Sequence, residues 1–542
     1  MSTQQSRRLF TWMAACSMAA ASLMVIGGAG AANAGAFPAD LKQFDAQVER
    51  VRKQFNVPGI SIAVVKDGQI VMERGYGVRE IGRSAPVQAD TLFAIGSNNK
   101  AFTAASLSIL ADEGKLSLED KVIDHLPWFR MSDPYVTEEM RLRDLLAHRS
   151  GLSLGAGDLL YVPASSYTTE EVVQRLAKVP LKGGFRDGFA YDNILSAVAQ
   201  KVIEQVSGQS YEKFLQQRIF SPVGMNGTRF NADYLQPGDA AAVGHAQYDF
   251  TKLRTVPPMT WSNNSGAGGI YSSAHDMALW MKVQLAGGAL ADGTPLFSGK
   301  RQQEMWSMIT PISLPPSRIP ELAAARPNYA GYGEGWVLGD YRGHKMVMCT
   351  GVMPGMTSRL SLMPDQHLGV VVLTNQEATS AFGAITLQVF DAFLQLPVTD
   401  WTAAYAKADE MARSNSDASW KAHQQARAAR STPSLPLSGY AKTYRDPWYG
   451  DVVIRQEGKR LRMQFSKTAQ LVGTLEHWQH DSFIVRWDDR SLNADAFVNF
   501  TLSPDGEVRQ VYMEPVSPLT DFSFDFQDLV LTPVTVEQPV KK

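Results

Sequence analysis

Leu92-Phe93-Ala94-Ile95-Gly96-Ser97-Asn98-Asn99-Lys100-Ala101-Phe102-Thr103-Ala104-Ala105-Ser106-Leu107-Ser108-Ile109-Leu110 is the stretch on which the fold of this chain turns. A short apolar run reaches a glycine, a polar tetrad follows, and the helix beginning near Asn98 is apolar nearly all round, the pattern of a helix buried inside a domain. Gly114 ends it. A serine three residues before a lysine at a helix start puts a hydroxyl beside an amine, one turn apart. Such a pair at the mouth of a buried helix is costly without a purpose. A Lys100 neutralised by desolvation can take the Ser97 proton, and the helix N-terminus favours the charge that develops. The competing local reading is a plain cap with Lys100 snorkelling. The same spacing recurs at Ser210-Tyr211-Glu212-Lys213, where capping is the better account.

Two distant segments complete a site for acyl transfer. Tyr191 is the only one of the 17 tyrosines with Asn two residues on, in Tyr191-Asp192-Asn193. Pairing with Lys100 predicts a depressed phenol pKa and general-base work, worth about 10²–10⁴ in rate; the alternative is an ordinary half-buried tyrosine at a helix start. Cys349-Thr350-Gly351 is predicted to end a strand through Met346-Val347-Met348. The N–H of Val352 with that of Ser97 then forms an oxyanion hole, each donor worth roughly 3–4 kcal/mol. Gly151-Leu152-Ser153-Leu154-Gly155 fits G-x-S-x-G, but that elbow needs a preceding strand. The run Arg141–His148 is helix-like, so Ser153 is not expected to be the nucleophile.

Around these motifs the chain divides. Leu41 to about Phe55 reads as an amphipathic helix, and Gly59–Val65 with Gln69–Met72 as a hairpin over Lys66-Asp67-Gly68. Leu360–Met363 and Leu368–Thr374 read as strands flanking Pro364-Asp365. Strands at both ends with helices between predict one sheet assembled from distant segments, an α/β sandwich over 37–395. Residues 396–436 turn to Ala, Lys, Arg, Gln and Ser, a helical or flexible linker. From 437 to 535 alternating runs such as Leu461/Met463/Phe465, Phe483/Val485/Trp487 and Phe522/Phe524/Phe526 predict a small all-β barrel.

Composition narrows the function. At 542 residues, 44% hydrophobic and 20% charged, the chain can bury sizeable cores in two or three units. Lys+Arg 52 against Asp+Glu 54 gives no bulk pull toward nucleic acid, so no nucleic-acid partner is expected. The nine histidines are scattered without H-E-x-x-H or paired cysteines, so no metal and no cofactor are expected. Arg7 and Arg8, an uncharged stretch Leu9–Ala39 and Ala32-Asn33-Ala34 read as a signal peptide over 1–34. Export to the periplasm or medium of a bacterium is the expectation, by either a Sec or a twin-arginine route, with no membrane span after cleavage. An uncleaved anchor is the alternative. Cys16 leaves with the signal, and Cys349 alone can form no internal disulfide.

The ordered motifs resemble the serine beta-lactamase-like family: class C beta-lactamases, DD-peptidases, D-aminopeptidases and related esterases. Beside the Ser97 segment, the resemblance rests on Val122-Ile123-Asp124-His125-Leu126-Pro127-Trp128, on Leu145-Leu146-Ala147-His148-Arg149-Ser150-Gly151-Leu152, and on Gly268-Gly269-Ile270-Tyr271-Ser272-Ser273 with Asp276. Gly331-Tyr332-Gly333-Glu334-Gly335-Trp336 and Gly351-Val352-Met353-Pro354-Gly355 complete the set. It implies an antiparallel sheet flanked by helices, plus a helical subdomain, and the tail is similar to an appended lipocalin-like domain. It further implies Ser97 as the acylated nucleophile, Lys100 and Tyr191 as the proton-handling pair, and Asn193 as a substrate-amide contact. Cys349, Thr350, Gly351 and Val352 would line the substrate. Two departures stand out: Cys349 occupies a position usually Lys or His, and Asp192 one usually Ser or Ala. Both weigh against a β-lactam or a substrate with a C-terminal carboxylate. The expected function is an exported serine hydrolase of small-molecule or peptide amides or esters. A beta-lactamase, or a catalytically weakened penicillin-binding or sensor protein, is the alternative. The tail is expected to act as a lid or to form a homo-oligomer.

Overall fold

A computed structural model describes residue 37 and residues 40–534; the expected signal peptide at 1–34 lies outside the described residues. Helix α1 (Leu41–Gln54) buries Phe44, Val48 and Val51 on one stripe, and Asp40 caps it by accepting from the Lys42 N–H at 2.9 Å. Strands β1 (Gly59–Lys66) and β2 (Gln69–Gly77) form the expected hairpin. β1 also pairs with the last strand of the unit, Ile60 opposite Thr374. The strands between are β3 (Thr310–Pro311), β4 (Ala330–Tyr332), β5 (Val337–Tyr341), β6 (His344–Met353), β7 (Met356–Met363) and β8 (Leu368–Thr374). Their order is β2-β1-β8-β7-β6-β5-β4-β3, antiparallel throughout.

Both faces of this sheet are covered, which is why β1 and β8 are near-continuous apolar runs. Ile60, Ile62 and Val64 join one core with α1, while Ala63 and Val65 join the other. Helix α2 (Asn99–Asp112) lies in that second core with every residue from Asn99 to Ala111 buried. It packs on α3 (Ile194–Ser207) and, through Phe102, on Trp280 of α4 (Ala274–Leu285), the two rings 4.6 Å apart. Helix α5 (Thr379–Phe393) covers the opposite face. The segment after it is helical: α6 (Trp401–Ala426) is anchored where Trp401 Nε1 donates to Asp391 at 2.7 Å.

The C-terminal strands are β9 (Thr443–Asp446), β10 (Gly450–Glu457), β11 (Arg460–Phe465), β12 (Val472–Gln479), β13 (Ser482–Trp487), β14 (Ala496–Leu502), β15 (Val508–Pro515) and β16 (Thr532–Pro533). They run in the order β15-β14-β13-β12-β11-β10-β9-β16. A bridge from Val511 to Leu531 nearly closes the barrel, and rings of Tyr444, Phe465, Phe483, Trp487 and Phe500 fill it. Among the described residues no helix is long and apolar enough to cross a membrane.

Two expectations need correction. Cys349-Thr350-Gly351 lies within β6, which continues to Met353, because β7 pairs with it as far as Met356. Phe522/Phe524/Phe526 is not a strand but a loop with one turn of 3₁₀ helix at Phe526–Asp528. Its alternation arises because the rings go to different places: Phe526 packs on Phe465 and Trp487 inside the barrel, while Phe522 meets Tyr191 in the first unit. Beyond Phe522, Asp525 accepts from the N–H groups of Gly157 (2.7 Å) and Leu159 (3.1 Å). Asp528 accepts from Ser153 Oγ at 2.8 Å and pairs with Lys182. The G-x-S-x-G stretch is therefore the seat of the barrel loop. Gly155 has φ +70°, and a Cβ there would lie 2.7 Å from the Phe522 carbonyl oxygen. Gly155→Ala is expected to cost about 1–3 kcal/mol, read as a lower denaturation midpoint; an unchanged midpoint would show that the loop does not dock there.

Candidate active site

The backbone of β6 is pressed directly onto the segment that carries Ser97. A Cβ on Gly351 would sit 1.8 Å from the Ile95 carbonyl oxygen, so only glycine fits. Ser358 of β7 donates to that same carbonyl at 2.6 Å, and Asn98 Nδ2 donates to Ser358 Oγ at 2.6 Å. The Val352 nitrogen is the atom nearest to a Cβ built on Gly96, at 2.6 Å. The Val352 N–H thus lies beside the Gly96–Ser97 peptide, on one wall with Ser97.

Lys100 points back along α2, as helical side chains do, and donates to Ser97 Oγ at 2.9 Å. It also donates to Asn193 Oδ1 at 2.6 Å and to the Ala267 carbonyl at 3.5 Å. Its Nζ stands 4.8 Å from the Tyr191 ring centre, and Tyr191 and Ser97 line the same cavity. Ser97, Lys100, Tyr191 and Asn193 therefore meet, although nearly a hundred residues separate the two segments. Burial of Lys100, which is 3% exposed, pulls its pKa down to about 7, against the opposing pull of Asp158 and Asp192. Tyr191 goes the other way from the sequence expectation. Desolvation drives its phenol well above the ordinary value, because a phenolate here would face Asp158 and Asp192 in a dry site.

Residues that the motifs did not single out support this group. Asp158 is wholly buried and accepts from Asn193 Nδ2 at 2.7 Å, from Ser523 Oγ at 2.8 Å and from the Tyr161 hydroxyl. Burial pushes its carboxyl up to about 7. His148 stacks on Tyr191, ring centres 4.2 Å apart, and its Nδ1 accepts the Asp192 N–H at 3.2 Å. Burial keeps His148 below the usual histidine range, so the ring stays neutral behind the phenol. His148 belongs to a segment already quoted for the resemblance; Asp158 and Ser523 carry no sequence signal. Ser210, by contrast, caps a helix, accepting from the Lys213 N–H at 3.3 Å.

Ser97 opens into a cavity of about 790 Å³ with Tyr191, Asn193, Cys349, Thr350 and Val352 on its wall. Most of the remaining wall is apolar, including Phe189, Met259, Trp261 and Met348, and Phe522 and Phe524 of the barrel loop complete it. Glu377 and Asp521 face the space, and burial raises both carboxyls, Glu377 to about 7. Among the described residues that line it, Arg413 of α6 alone is cationic. Cys349 is 5% exposed and donates to the Gly335 carbonyl at 3.2 Å; burial drives its thiol well above the ordinary range. A native chain starting at Gly35 should then react with a disulfide reagent at pH 8 at least about 100-fold more slowly than the same chain in denaturant. Equal rates would contradict the buried thiol.

The family model described as Beta-lactamase matches residues 44–392, and one described as a domain of unknown function, DUF3471, matches residues 426–533. The unguisins hydrolase ungD of Aspergillus violaceofuscus is 28% identical over 498 residues, 86% of this chain and 87% of that protein. Protein flp of Staphylococcus aureus is 26% identical over 336 residues, 62% of this chain and 63% of flp. The octameric penicillin-binding protein homologue of Pyrococcus abyssi superposes with a TM-score of 0.57 at 21% identity, over 91% of this chain and 100% of its own. SurE does so with a TM-score of 0.52 at 18% identity, over 91% and 98%. These solved structures share the fold: a serine beta-lactamase-like α/β unit followed by a nearly closed eight-stranded barrel. With the family model matched over residues 44–392, most of the chain, this chain belongs to the beta-lactamase family, a family of serine hydrolases.

Proposed function

We propose that this protein hydrolyses an amide or ester through an acyl-enzyme on Ser97, as a peptidase or esterase rather than a beta-lactamase. The observation that carries the reading is the 2.9 Å contact between Lys100 Nζ and Ser97 Oγ in a dry setting where the amine holds its proton only to about pH 7. Neutral Lys100 takes the Ser97 proton as Oγ bonds to the substrate carbonyl carbon. The Ser97 and Val352 N–H groups receive the oxyanion. Tyr191, held as a phenol, gives its proton to the leaving amine or alkoxide as the C–N or C–O bond breaks, and recovers one from Lys100. Water then repeats the cycle on the ester, releasing the acid and restoring Ser97.

Two features bear on the substrate. Cys349 places a neutral thiol where a cation would meet a substrate carboxylate, and the cavity beyond it is mostly apolar, with Arg413 of α6 as the cationic side chain among its described lining residues. The relative named a hydrolase of unguisins supports turnover over mere binding, and SurE solved with D-Leu makes substrates with D-residues a sensible first panel. Export directed by residues 1–34 and homo-oligomerisation through the barrel belong to the same proposal. The octameric homologue from Pyrococcus abyssi supports the latter.

Two experiments test it. Ser97→Ala should lose about 10³-fold or more in kcat on a chromogenic ester and all labelling by a fluorophosphonate; unchanged turnover would refute the assignment. The sign of the pH dependence follows from Lys100: protonated below about 7, it cannot act as base. For the wild type, kcat/KM on a non-ionising ester should rise about tenfold per pH unit below that point and level off above it. A rate independent of pH between 5 and 8 would remove Lys100 from the role.

A further inference from the structure

The polar chain behind Ser97 does not end in the catalytic unit. Lys100 donates to Asn193 Oδ1 (2.6 Å), Asn193 Nδ2 donates to Asp158 Oδ2 (2.7 Å), and Ser523 Oγ, from the barrel loop, donates to the same Asp158 oxygen (2.8 Å). We propose that Ser523 is a positioning residue for the Ser97–Lys100 pair, acting through Asp158 and Asn193. The proposal rests on the acyl-enzyme reading above.

The argument starts from the asymmetry of an amide. One end of Asn193 accepts and the other donates, and only one orientation presents an acceptor to the Lys100 amine. What fixes that orientation is the group on the far side. An ionised Asp158 accepts from Nδ2 and holds Oδ1 toward Lys100. A protonated Asp158 can donate instead, which suits the flipped amide and sets two donors face to face at Lys100. Keeping Asp158 ionised is difficult, because it is wholly buried; hydrogen bonds from Tyr161, Asn193 and Ser523 oppose that desolvation. Tyr161 and Asn193 come from the catalytic unit, whereas Ser523 is supplied only when the barrel docks.

The docking leaves Ser523 little freedom. Just before it, the Phe522 ring lies 6.0 Å from that of Tyr191, edge-on. Just after it, Asp525 binds the N–H groups of Gly157 and Leu159, the residues on either side of Asp158. Asp528 closes the seat with Ser153 and Lys182. The loop thus grips the turn that carries Asp158 and aims one hydroxyl at its carboxylate.

The charged and titratable groups facing this relay are Lys100 on α2, Tyr191 and Asp192 ahead of α3 with His148 behind the phenol, Tyr161 and Lys182 on the seat, Cys349 on β6, and Asp525 with Asp528 on the loop. Removing the Ser523 hydroxyl takes away one of the hydrogen bonds that keep Asp158 ionised. Asn193 then no longer presents its oxygen to Lys100, so kcat falls, while KM, set by the cavity wall, changes little.

The test compares full-length wild type with S523A, S523T and S523V on a non-ionising ester, reading kcat and KM. S523A and S523V should lose about 5–30-fold in kcat with KM changed less than about threefold. S523T, which keeps the hydroxyl, should restore kcat. The S523T and S523V pair differs only by hydroxyl against methyl, so it decides the matter even where S523A fails to fold. Wild-type kcat in S523V, or S523T impaired as badly as S523V, would overturn the role. A parallel Ser97→Ala enzyme separates the two readings. Turnover retained there overturns both, whereas an inactive Ser97→Ala beside a normal S523V overturns only the relay.

Discussion

The Lys100 amine is kept dry, and most of the architecture serves that condition. Its helix is buried on every side from Asn99 to Ala111, packed on α3 and, through Phe102, on Trp280 of α4. The fall from 10.5 to about 7 corresponds to roughly 5 kcal/mol of preference for the neutral amine over one in water. A solvated lysine would be a permanent ammonium, useful for holding charge but unable to remove the serine proton near neutral pH. Asp158 and Asp192 pull the other way. The site is a balance between desolvation and two buried carboxylates, which leaves the amine poised close to neutrality.

That balance reaches beyond the unit that carries Lys100. The stretch from Gly151 to Val162 is irregular, and two of its N–H groups, on Gly157 and Leu159, find their acceptor in Asp525 of the barrel loop. Asp525 in turn lies close enough to Asp528 and Asp158 that burial and like charge together drive its carboxyl far above the ordinary range. Asp528 beside it is held by Lys182 and by the Ser153 hydroxyl. Neither half of this interface is satisfied alone. The barrel is thus not an independent module on a tether: α6 is helical and anchored at its start by Trp401, and the loop is buried at the far end.

How much of this the sequence discloses depends on the distance over which its causes act. The hairpin at Gly59–Gly77, the buried helix after Ser97 and the two strands around Pro364 are legible, because periodicity and turn residues are local. The meeting of Ser97 with Asn193 is not a property of either segment; only the ordered set of motifs suggests it. The rise of the Tyr191 phenol is not legible, because its main cause is burial among segments distant in sequence, with Asp158 and Asp192 adding to it through space. Phe522/Phe524/Phe526 imitates a strand because alternation records which residues are buried, not against what. The glycines and serine around Ser153 imitate a nucleophile elbow, although Gly155 is required by the close approach of the Phe522 carbonyl more than three hundred residues away. Ser523 leaves no trace in sequence, since its meaning comes wholly from docking.

Cys349 takes on a different aspect in this light. It departs from the cation common at that position in similar sequences, which read alone suggests a weakened site. Yet its sulfur shares the same water-excluded space as Lys100, near enough for the charge of one to act on the other. A second ammonium there would press Lys100 further toward its neutral form, and would itself need a carboxylate or a substrate anion to be tolerated. A neutral thiol hydrogen-bonded to the Gly335 carbonyl imposes neither demand. With no fixed cation at that wall, the space above Ser97 offers mainly apolar surface to whatever it holds. Cys349 thus changes the character of the wall, while the 2.9 Å contact between Lys100 and Ser97 stands without it.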